Sequence, residues 1–240
     1  RGPRLGDILL KAGVKNGARF AWFEGIDEPP VAGKPVHFSA AIPLEKAVGA
    51  ETLIALEMNG RPLTAEHGAP ARALVPGFVG ARSVKWLGRI ILSDRWTDNP
   101  WSARDYKLFP PEVTAQTVKW EERDPILQYA LSSVICSPRP AAEVPAGKLK
   151  VRGYALSPEP LERVEVSADG GSTWVKASFE GRETPWTWRL WQAELEVAPG
   201  PRVLAVRAAD VKGAVQPEKG PWNFKGYLYT GWHRVSVNVL

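Results

Sequence analysis

Three side chains that suit phosphate binding lie along a glycine-rich segment, residues 57–87: His67, Arg72 and Lys85. Glycine lets the backbone turn sharply and approach a ligand closely, and it frees N–H groups to face an anion. Arginine and lysine add positive charge and several hydrogen-bond donors. Two interpretations stay open on these residues alone, an anion cradle for a phosphate-bearing ligand or an ordinary solvated loop.

The familiar catalytic motifs give no support to hydrolase, nucleotide or zinc chemistry. The histidines, His37, His67 and His233, belong to no His-x-x-x-His or His-Glu-x-x-His pattern. No Gly-x-Ser-x-Gly elbow, Walker loop or dinucleotide fingerprint occurs. The one cysteine, Cys136, ends an apolar run and has no thiol partner. We predict that it is a buried structural thiol rather than a nucleophile.

Aromatic residues of the second half could serve either a ligand or a core. Residues 167–174 look like an Asp-box hairpin, in which aspartate and glycine supply the turn and Trp174 packs beneath it, and we interpret it as structural. Trp186, Trp188 and Trp191 could stack on a sugar if they were exposed. Because Trp186 and Trp188 alternate as one face of a strand would, a core position is the simpler interpretation.

The composition predicts a folded, soluble protein of one large domain or two modest ones. Of 240 residues, 44% are hydrophobic and 24% charged, and the 22 glycines and 22 prolines favour short strands and turns. No run approaches the ~18 apolar residues that a membrane-spanning helix needs. The net charge of +5 is spread along the chain. That distribution fits an anionic substrate or partner better than a nucleic acid.

The first half of the chain predicts one helix, short strands and long loops. Apolar residues at helical spacing predict a helix over Leu5–Ala12, and short apolar runs predict strands over 18–23 and 52–56. Glycine and proline punctuate residues 57–92 too densely for any long regular element. The aromatic-rich residues 94–122 lack a regular period and predict a long ordered loop.

The second half predicts an all-β domain. Three prolines and a final glycine in residues 137–147 indicate a domain boundary, which we place between residues 138 and 139. Beyond it, apolar and polar residues alternate in short segments, as strands with one buried face do. Such segments without a helix or a Cys-Trp-Cys pattern predict an immunoglobulin-like β-sandwich. The predicted strands are 148–156, 163–168, 173–179, 187–197, 202–209 and 233–240.

Several longer motifs follow one another in a characteristic order. The most specific is Gly-x-x-Gly-Ala-Arg-x-Val-Lys-Trp-Leu, which ends at Leu87. The others lie at residues 104–107, 133–138, 167–174, 215–217, 222–226 and 232–235. In this order and at these spacings, the chain resembles the sulfite oxidase family of molybdenum enzymes over essentially its whole length.

This resemblance implies an α+β fold in two parts. Residues 1–138 would be the later part only of a mixed-sheet molybdopterin-binding domain, and residues 139–240 an all-β immunoglobulin-like dimerisation domain. It also implies a Mo-molybdopterin cofactor, a homodimer, oxidation of sulfite to sulfate by oxygen-atom transfer, and a cytochrome-type electron acceptor. By motif position, the residues expected to bind the cofactor are Asp27, His67, Arg72, Ser83, Val84 and Lys85.

The same resemblance implies an anion pocket for the substrate. Tyr106 is the expected catalytic residue, because its phenol can donate a hydrogen bond to an oxygen of sulfite or of the metal centre without adding charge. Arg104 and Lys225 are expected to bind the substrate. Lys225 stands where the family has arginine in an Asn-x-Arg-Gly motif. Lysine lacks the planar fork of arginine, so weaker or differently ordered sulfite binding is expected.

A second departure from the family concerns the metal. The family's molybdenum-binding cysteine lies in its N-terminal half, upstream of anything that resembles residues 1–14, and Cys136 lies at the domain hinge. We therefore expect no metal ligand in this chain. Its expected partner is the N-terminal part of the molybdopterin domain, on another segment or chain. Without that part, residues 1–240 are expected to aggregate, to bind little molybdenum and not to oxidise sulfite.

Two rival functions stay open. Assimilatory nitrate reductase shares the fold and cofactor, although Arg104-Asp105-Tyr106-Lys107 favours the sulfite branch. A non-catalytic binding module with a degenerate cofactor domain would also account for the absent cysteine. The first residue is not methionine, which predicts a processed chain or one that starts within its gene. A periplasmic location is expected, with the mitochondrial intermembrane space as the alternative.

Overall fold

The computed structural model describes residues 1–240, which form two compact units. The first unit comprises residues 1–109 and 113–128, and the second comprises residues 110–112 and 129–240. Each unit has an apolar core of its own. No helix in the structure has the length and apolar character needed to cross a membrane.

The first unit combines two short helices with short strands. Its helices and strands are α1 (Leu5–Ala12), β1 (Phe20–Gly25), β2 (Pro30–Val31), β3 (Lys34–Pro35), β4 (Ser39–Pro43), α2 (Leu44–Val48), β5 (Leu53–Ala55), β6 (Glu57–Met58), β7 (Arg61–Pro62), β8 (Arg72–Leu74) and β9 (Leu87–Ser93). Single turns of 3₁₀ helix lie at Ala65–His67, Gly80–Arg82 and Trp120–Glu122, and a π-helical turn lies at Trp101–Asp105. Helix α1 has the predicted bounds, and Gly13 ends it with a positive φ.

A three-stranded antiparallel sheet in the order β4-β1-β9 supports the first unit. Phe23 of β1 lies opposite Ala40 of β4 and Ile90 of β9, and it is fully buried. Alternate residues of β1 face the core, where they pack with the apolar face of α1. A β-bulge at Glu24/Gly25 ends the regular pairing of β1 with β9. The chain that leaves the sheet at this bulge leads directly to Asp27.

Strand β9 contradicts the prediction that residues 57–92 hold no long regular element. It has seven residues, and no other strand of the unit is longer. Gly88 lies within it, and a Cβ there would come within 2.7 Å of Ile26 Cγ2. The glycine is therefore a close-packing position in a strand, whereas the sequence pattern suggested a turn. The predicted long loop at residues 94–122 does contain only single helical turns.

The second unit is a sandwich of two sheets. Its strands are β10 (Ser132–Ser137), β11 (Ala142–Val144), β12 (Gly147–Leu156), β13 (Leu161–Ser167), β14 (Val175–Lys176), β15 (Ser178–Glu180), β16 (Arg189–Val197), β17 (Gly200–Asp210) and β18 (His233–Val239). One sheet has the order β10-β12-β16-β15 and the other β11-β18-β17-β13-β14. The inward residues of both sheets share one core around Trp191, which is fully buried. The all-β architecture predicted from alternation is thus confirmed.

The units divide earlier in the chain than the predicted boundary at 138/139. Strand β10 pairs with β12 along most of its length, so residues 132–137 belong to the second unit. Strand β11 lies within the proline-rich segment and pairs in parallel with β18. Proline marked this segment as a linker, yet its backbone is used as the edge of a sheet. The first unit instead ends at Gln128.

The environments of three predicted core residues are corrected by the structure. Cys136 is exposed, because Ser133 and Ile135 are the inward-facing residues of β10 and the alternation of the strand directs the next residue outward. Trp186 is 43% and Trp188 63% exposed, since both precede β16 instead of alternating within it. Of the three candidate tryptophans, only Trp191 is in the core.

The Asp-box hairpin is structural, as predicted. Asp169 accepts hydrogen bonds from the backbone N–H groups of Ser172 and Thr173, both at 2.9 Å, and from the Ser167 hydroxyl. The Ser167 hydroxyl, followed by the donors of Thr173, holds the pKa of Asp169 well below its ordinary value. Trp174 packs edge-on against Trp232, with ring centroids 4.7 Å apart. The carboxylate is therefore fully used in forming the turn.

Candidate functional site

One cavity of the first unit gathers most of the predicted cofactor-binding residues. Its volume is about 240 Å³. Its lining comprises Asp27, Phe38, Arg72, Gly80, Ala81, Ser83, Val84, Lys85 and Trp86. Five of the six residues that the motif positions indicated are in this list. A larger cleft of about 470 Å³ in the second unit is lined by none of them.

Three short elements bring these residues together. Asp27 follows β1 just beyond the bulge, and Arg72 is the first residue of β8. Ser83 ends the 3₁₀ turn at residues 80–82, and its hydroxyl accepts the backbone N–H of Val75 at 3.0 Å. The Val84 carbonyl accepts the N–H of Ala73 at 2.9 Å. The 83–85 segment is thereby fastened alongside β8, with Arg72 at one end.

Arg72 is held by backbone carbonyls and keeps one unused donor. Its Nη2 donates to Ser83 O at 2.9 Å, and its Nη1 donates to His67 O at 3.3 Å. Its Nε is buried and has no hydrogen-bond partner. Burial lowers the pKa of Arg72, but a guanidinium stays protonated at neutral pH. The cavity wall therefore carries a positive charge, and one buried donor of the same side chain has no partner in the protein.

Asp27 supplies an unused acceptor to the same cavity. Its Oδ1 is buried without a hydrogen-bond partner. Buried polar groups in proteins almost always find partners, so an unpartnered atom on each of two residues that line one cavity is consistent with a ligand that binds there. The ligand must donate a hydrogen bond to Asp27 and accept one from Arg72. A polar heterocycle that carries a phosphate meets both requirements.

Lys85 and His67 are placed differently from each other. Lys85 Nζ donates to Glu66 O at 2.8 Å and lies 4.4 Å from the centroid of the Trp86 ring, at the cavity wall. His67 is exposed and does not line the cavity; its Nδ1 lies 2.8 Å from Thr64 Oγ1. It is linked to the cavity through its carbonyl, which accepts from Arg72.

Two glycines allow the charged residues to occupy these positions. A Cβ at Gly25 would lie 2.2 Å from Asp27 Oδ1, and one at Gly68 would lie 2.7 Å from Lys85 Cβ. Gly68 also has a φ of +94°, which side-chain-bearing residues rarely adopt. Both glycines therefore leave space that the cavity-lining side chains fill.

The expected substrate residues of the first unit lie on another segment. Tyr106 directly follows the π-helical turn, and its carbonyl accepts the N–H of Ile126 at 2.8 Å. Arg104 is exposed and its guanidinium carbon lies 5.3 Å from the centroid of the Trp120 ring. Neither Tyr106 nor Arg104 lines the 240 Å³ cavity. The structure thus separates the expected cofactor and substrate residues into two groups within one unit.

Lys225 lies in a tight turn of the second unit. The buried Asn223 organises this turn: its Oδ1 accepts the N–H groups of Lys225 at 3.1 Å and of Tyr227 at 3.3 Å. Its Nδ2 donates to Tyr227 O at 2.6 Å. The Lys225 side chain is half-buried. Asparagine therefore fixes the backbone from which the lysine projects.

Arg82 is a residue that the motif contained but that sequence reasoning did not single out. It lies in the Gly-Ala-Arg part of the signature and is fully buried, with its guanidinium close to both the Trp96 and the Tyr106 ring. Arginine is rarely buried, and nothing in its spacing distinguishes it from the exposed Arg89. No cluster of three or more His, Cys, Asp or Glu side chains that could hold a metal ion forms in the structure.

Comparisons with known proteins match both units. A family model described as the oxidoreductase molybdopterin binding domain matches residues 1–101. A second, described as the Mo-co oxidoreductase dimerisation domain, matches residues 123–240. The two matches fall largely on the first and second units, respectively.

Individual relatives match across the whole chain. Mitochondrial sulfite oxidase of Mus musculus is 40% identical over 253 residues, which cover 100% of this chain and 46% of the relative. Nitrate reductase [NADH] 1 of Oryza sativa subsp. japonica is 34% identical over 265 residues, which cover 100% of this chain and 29% of the relative. The chain thus spans about half the length of the sulfite oxidase and less of the nitrate reductase.

A solved structure shows the same arrangement of elements. The sulfane dehydrogenase SoxCD from Paracoccus pantotrophus superposes with a TM-score of 0.82 at 26% sequence identity. The superposition covers 99% of this chain and 59% of that chain. The α+β part followed by a β-sandwich is therefore a fold that a solved oxidoreductase structure shares.

Proposed function

Because the chain belongs to the family of molybdopterin-binding oxidoreductases that includes sulfite oxidase, we propose that it is part of an enzyme that oxidises sulfite to sulfate. The observation that carries the proposal is that Asp27 and Arg72 line one cavity and that each has a buried polar atom, Oδ1 and Nε respectively, without a partner in the protein. They fit a ligand that offers both a donor and an acceptor. Molybdopterin, a pterin with a phosphate, is such a ligand.

Each lining residue has a chemical role in this proposal. Arg72 and Lys85 supply positive charge and donors to the phosphate, and the Ser83 hydroxyl can donate its proton because it already accepts from Val75. Asp27 accepts N–H groups of the heterocycle. Val84 contributes to the cavity wall. His67 lies outside the lining and would contact the cofactor only from its exposed position.

The substrate would be bound by residues outside this cavity. The cofactor, when bound, supplies the oxygen-atom transfer and the two-electron redox change that convert sulfite to sulfate. Tyr106 donates a hydrogen bond from its phenol to an oxygen of the anion. Arg104 and Lys225 contribute positive charge that favours binding of the doubly charged sulfite and sulfate.

The proposal includes partners and a compartment. A homodimer formed through the second unit is supported by the match to a dimerisation domain. A thiolate ligand for molybdenum would come from an N-terminal polypeptide, because the first unit contains no cysteine. The electron acceptor would be a cytochrome. The location would be the periplasm or the mitochondrial intermembrane space; the mouse relative is named as mitochondrial.

The cofactor assignment is tested by replacing Arg72 in the complete protein. Arg72→Gln removes a charged donor whose hydrogen bonds are worth about 1.5–3 kcal/mol, so molybdenum and pterin content should fall about 10- to 100-fold. Arg89→Gln is the matched control, because Arg89 is exposed and pairs only with Glu24. Metal analysis and fluorescence of the released pterin measure the content. Equal content in both variants would contradict the assignment.

Nitrate reduction is the second candidate, since a nitrate reductase matches the whole chain at 34% identity. Turnover assays with artificial electron carriers distinguish the two reactions. The assay for sulfite oxidation uses an oxidised carrier that accepts electrons, and the assay for nitrate reduction uses a reduced carrier that donates them. We expect sulfite turnover only. A third possibility, a non-catalytic scaffold, would contain no molybdenum in the native assembly, so the metal analysis also decides that case.

A further inference from the structure

Arg82 is a buried cation whose partners are all uncharged. The residue is 0% exposed, and burial lowers its pKa to about 10, so it is charged at neutral pH. Its Nε and Nη2 donate to Ile126 O at 3.0 and 2.8 Å, and its Nη1 donates to Ser102 Oγ at 2.9 Å. Its guanidinium carbon lies 5.5 Å from the Trp96 ring centroid and 5.9 Å from that of Tyr106. None of its nitrogens pairs with a carboxylate.

The two hydrogen-bond partners of Arg82, Ile126 and Ser102, are both connected to Tyr106. Ile126, which accepts two donors of Arg82, donates its own N–H to Tyr106 O at 2.8 Å. Ser102 lies in the turn that Tyr106 follows, and its hydroxyl also donates to Ser39 O of β4 at 3.2 Å. Arg82 therefore fastens the chain on both sides of Tyr106, and it contacts the phenol ring itself.

We propose that Arg82 is the positioning residue for Tyr106: it fixes the 101–126 segment at Ser102 and Ile126 and sets the orientation of the phenol. The positioning itself does not depend on the proposed function. Only the role of the oriented phenol, a hydrogen bond to the substrate, rests on it. Arginine is suited to the task because its planar fork places two parallel donors on one carbonyl and a third on a separate hydroxyl. Lysine has the charge but cannot reproduce this geometry.

The first test is a double-mutant cycle in the complete, cofactor-loaded protein. Arg82→Lys should lower kcat for sulfite about 10- to 100-fold, the scale of effect expected when a reacting group is misplaced. In the Tyr106→Phe background the same substitution should change kcat less than about twofold, because the group that it positions is already lost. A general loss of stability would lower kcat by the same factor in both backgrounds, and that result would overturn the proposal.

The second test is independent of activity. Hydrogen exchange of the Ile126 amide, which donates to Tyr106 O, should become at least tenfold faster in Arg82→Lys and more modestly faster in Ser102→Ala. The milder Ser102→Ala keeps the proposal testable if Arg82→Lys does not fold. Arg89→Lys is the matched control and should leave this amide unchanged. Unchanged exchange in Ser102→Ala and Arg82→Lys would overturn the proposal.

The two tests separate failure of this inference from failure of the proposed function. If the protein oxidises no sulfite, faster exchange at Ile126 still shows that Arg82 positions the Tyr106 segment. If sulfite is oxidised but the kinetic effects are additive, the proposed function stands and Arg82 acts elsewhere.

Discussion

At the scale of single residues, several cations of the first unit donate to backbone carbonyl oxygens, whereas Lys46 pairs with the carboxylate of Glu51. Arg72 donates to His67 O and Ser83 O, Arg82 to Ile126 O, and Lys85 to Glu66 O. Lys107, whose pKa burial lowers, likewise donates to Trp120 O. A carbonyl fixes a cation in place without cancelling its charge, whereas a carboxylate would neutralise it. The positive charge of Arg72 and Lys85 at the cavity wall is therefore not cancelled by a carboxylate partner, which favours an anionic ligand.

Tyr106→Phe removes one phenolic donor with almost no change in side-chain volume. We expect sulfite turnover to fall about 100-fold, since loss of one preorganised donor costs about 3 kcal/mol in other enzymes. Cofactor content and the urea midpoint should not change. Tyr154→Phe, a tyrosine of the second unit, serves as the control. Steady-state rates that match the wild type at all sulfite concentrations would show that Tyr106 does not contact the substrate.

Motif positions led to individual residues with uneven success. Asp27, Arg72 and Lys85 line one cavity although up to 58 residues separate them, because β1, β8 and the 83–85 segment meet there. The unpartnered state of Asp27 Oδ1 and Arg72 Nε is a property of packing and could not be predicted from residue type. The burial of Arg82 depends on a carbonyl 44 residues away in sequence, which no local pattern encodes.

At the scale of elements, a side chain of one sheet of the second unit accepts a hydrogen bond from the backbone of a strand in the other sheet. Strand β10 has a bulge at Ile135/Ser137, and the N–H of Ile135 donates to Nδ1 of His233, on β18, at 3.2 Å. This nitrogen can accept only while the imidazole is neutral. Burial lowers the pKa of His233 in the folded state. The hydrogen bond between β10 and His233 therefore depends on the pH of the solution.

The second unit should become less stable in acid through His233. Because its folded-state pKa is lowered from 6.5, this contribution is fully present above pH 6.5 and is lost as the pH falls through the folded-state pKa. The loss should not exceed about 1 kcal/mol, the net contribution of one hydrogen bond. Urea midpoints at pH 8 and pH 5 measure it.

Asparagine provides the matched variant for this prediction. His233→Asn keeps an acceptor near Nδ1 but does not titrate, so its midpoint should depend less on pH than the wild type's. His67→Asn, in the exposed position of the first unit, should keep the wild-type dependence of the second unit. Identical pH dependence in His233→Asn and wild type would refute the role of His233.

Elements were predictable where local pattern and burial agree. Helix α1 and strands β12 and β16 have one clean buried face, and their apolar residues recur at the matching period. Strand β9 shows no alternation, since its residues are mostly half-buried and Gly88 interrupts the pattern. Prolines lie next to strands β10 and β11 in the sequence, and only the pairing of these strands with β12 and β18 makes them strands. Partners distant in sequence decided these cases.

At the scale of the whole molecule, the residues proposed to bind ligands and the single cysteine are distributed over the two units. The cavity-lining residues and Tyr106 lie in the first unit, whereas Lys225 and the exposed Cys136 lie in the second. Each unit has its own core, so substitutions on the surface of the second unit should leave the fold of the first unchanged. Effects on activity can then be assigned to charge or chemistry instead of to unfolding.

Cys136→Ser tests whether this chain contributes the metal thiolate. The thiol is exposed at a bulge of the second unit, and it belongs to no group of three or more potential metal ligands. We expect unchanged molybdenum content and sulfite turnover in the complete protein. A substantial loss of molybdenum in this variant would show that Cys136 ligates the metal and would reverse the proposed origin of the thiolate.

Lys225 variants test whether the second unit contributes to substrate binding. Lys225→Ala should raise the KM for sulfite at least tenfold, because one charged donor is lost. Lys225→Arg should keep or lower KM, since arginine forks onto oxyanions. Lys219→Ala, an exposed lysine of the same unit, is the control. A KM for Lys225→Ala equal to that of the control would exclude the second unit from substrate binding.

The cavity also requires particular residues at two positions that have no side chain to contact a ligand, Gly25 and Gly68. Each presents a bare Cα where any larger residue would displace Asp27 or Lys85. In a saturation library selected for cofactor retention, both positions should therefore be as intolerant as the charged residues that they accommodate. A description of this binding site that counts only ligand-contacting groups would omit them, although they restrict the allowed sequences as strongly. Ligand recognition by this cavity therefore depends also on two positions where a side chain must be absent, Gly25 and Gly68.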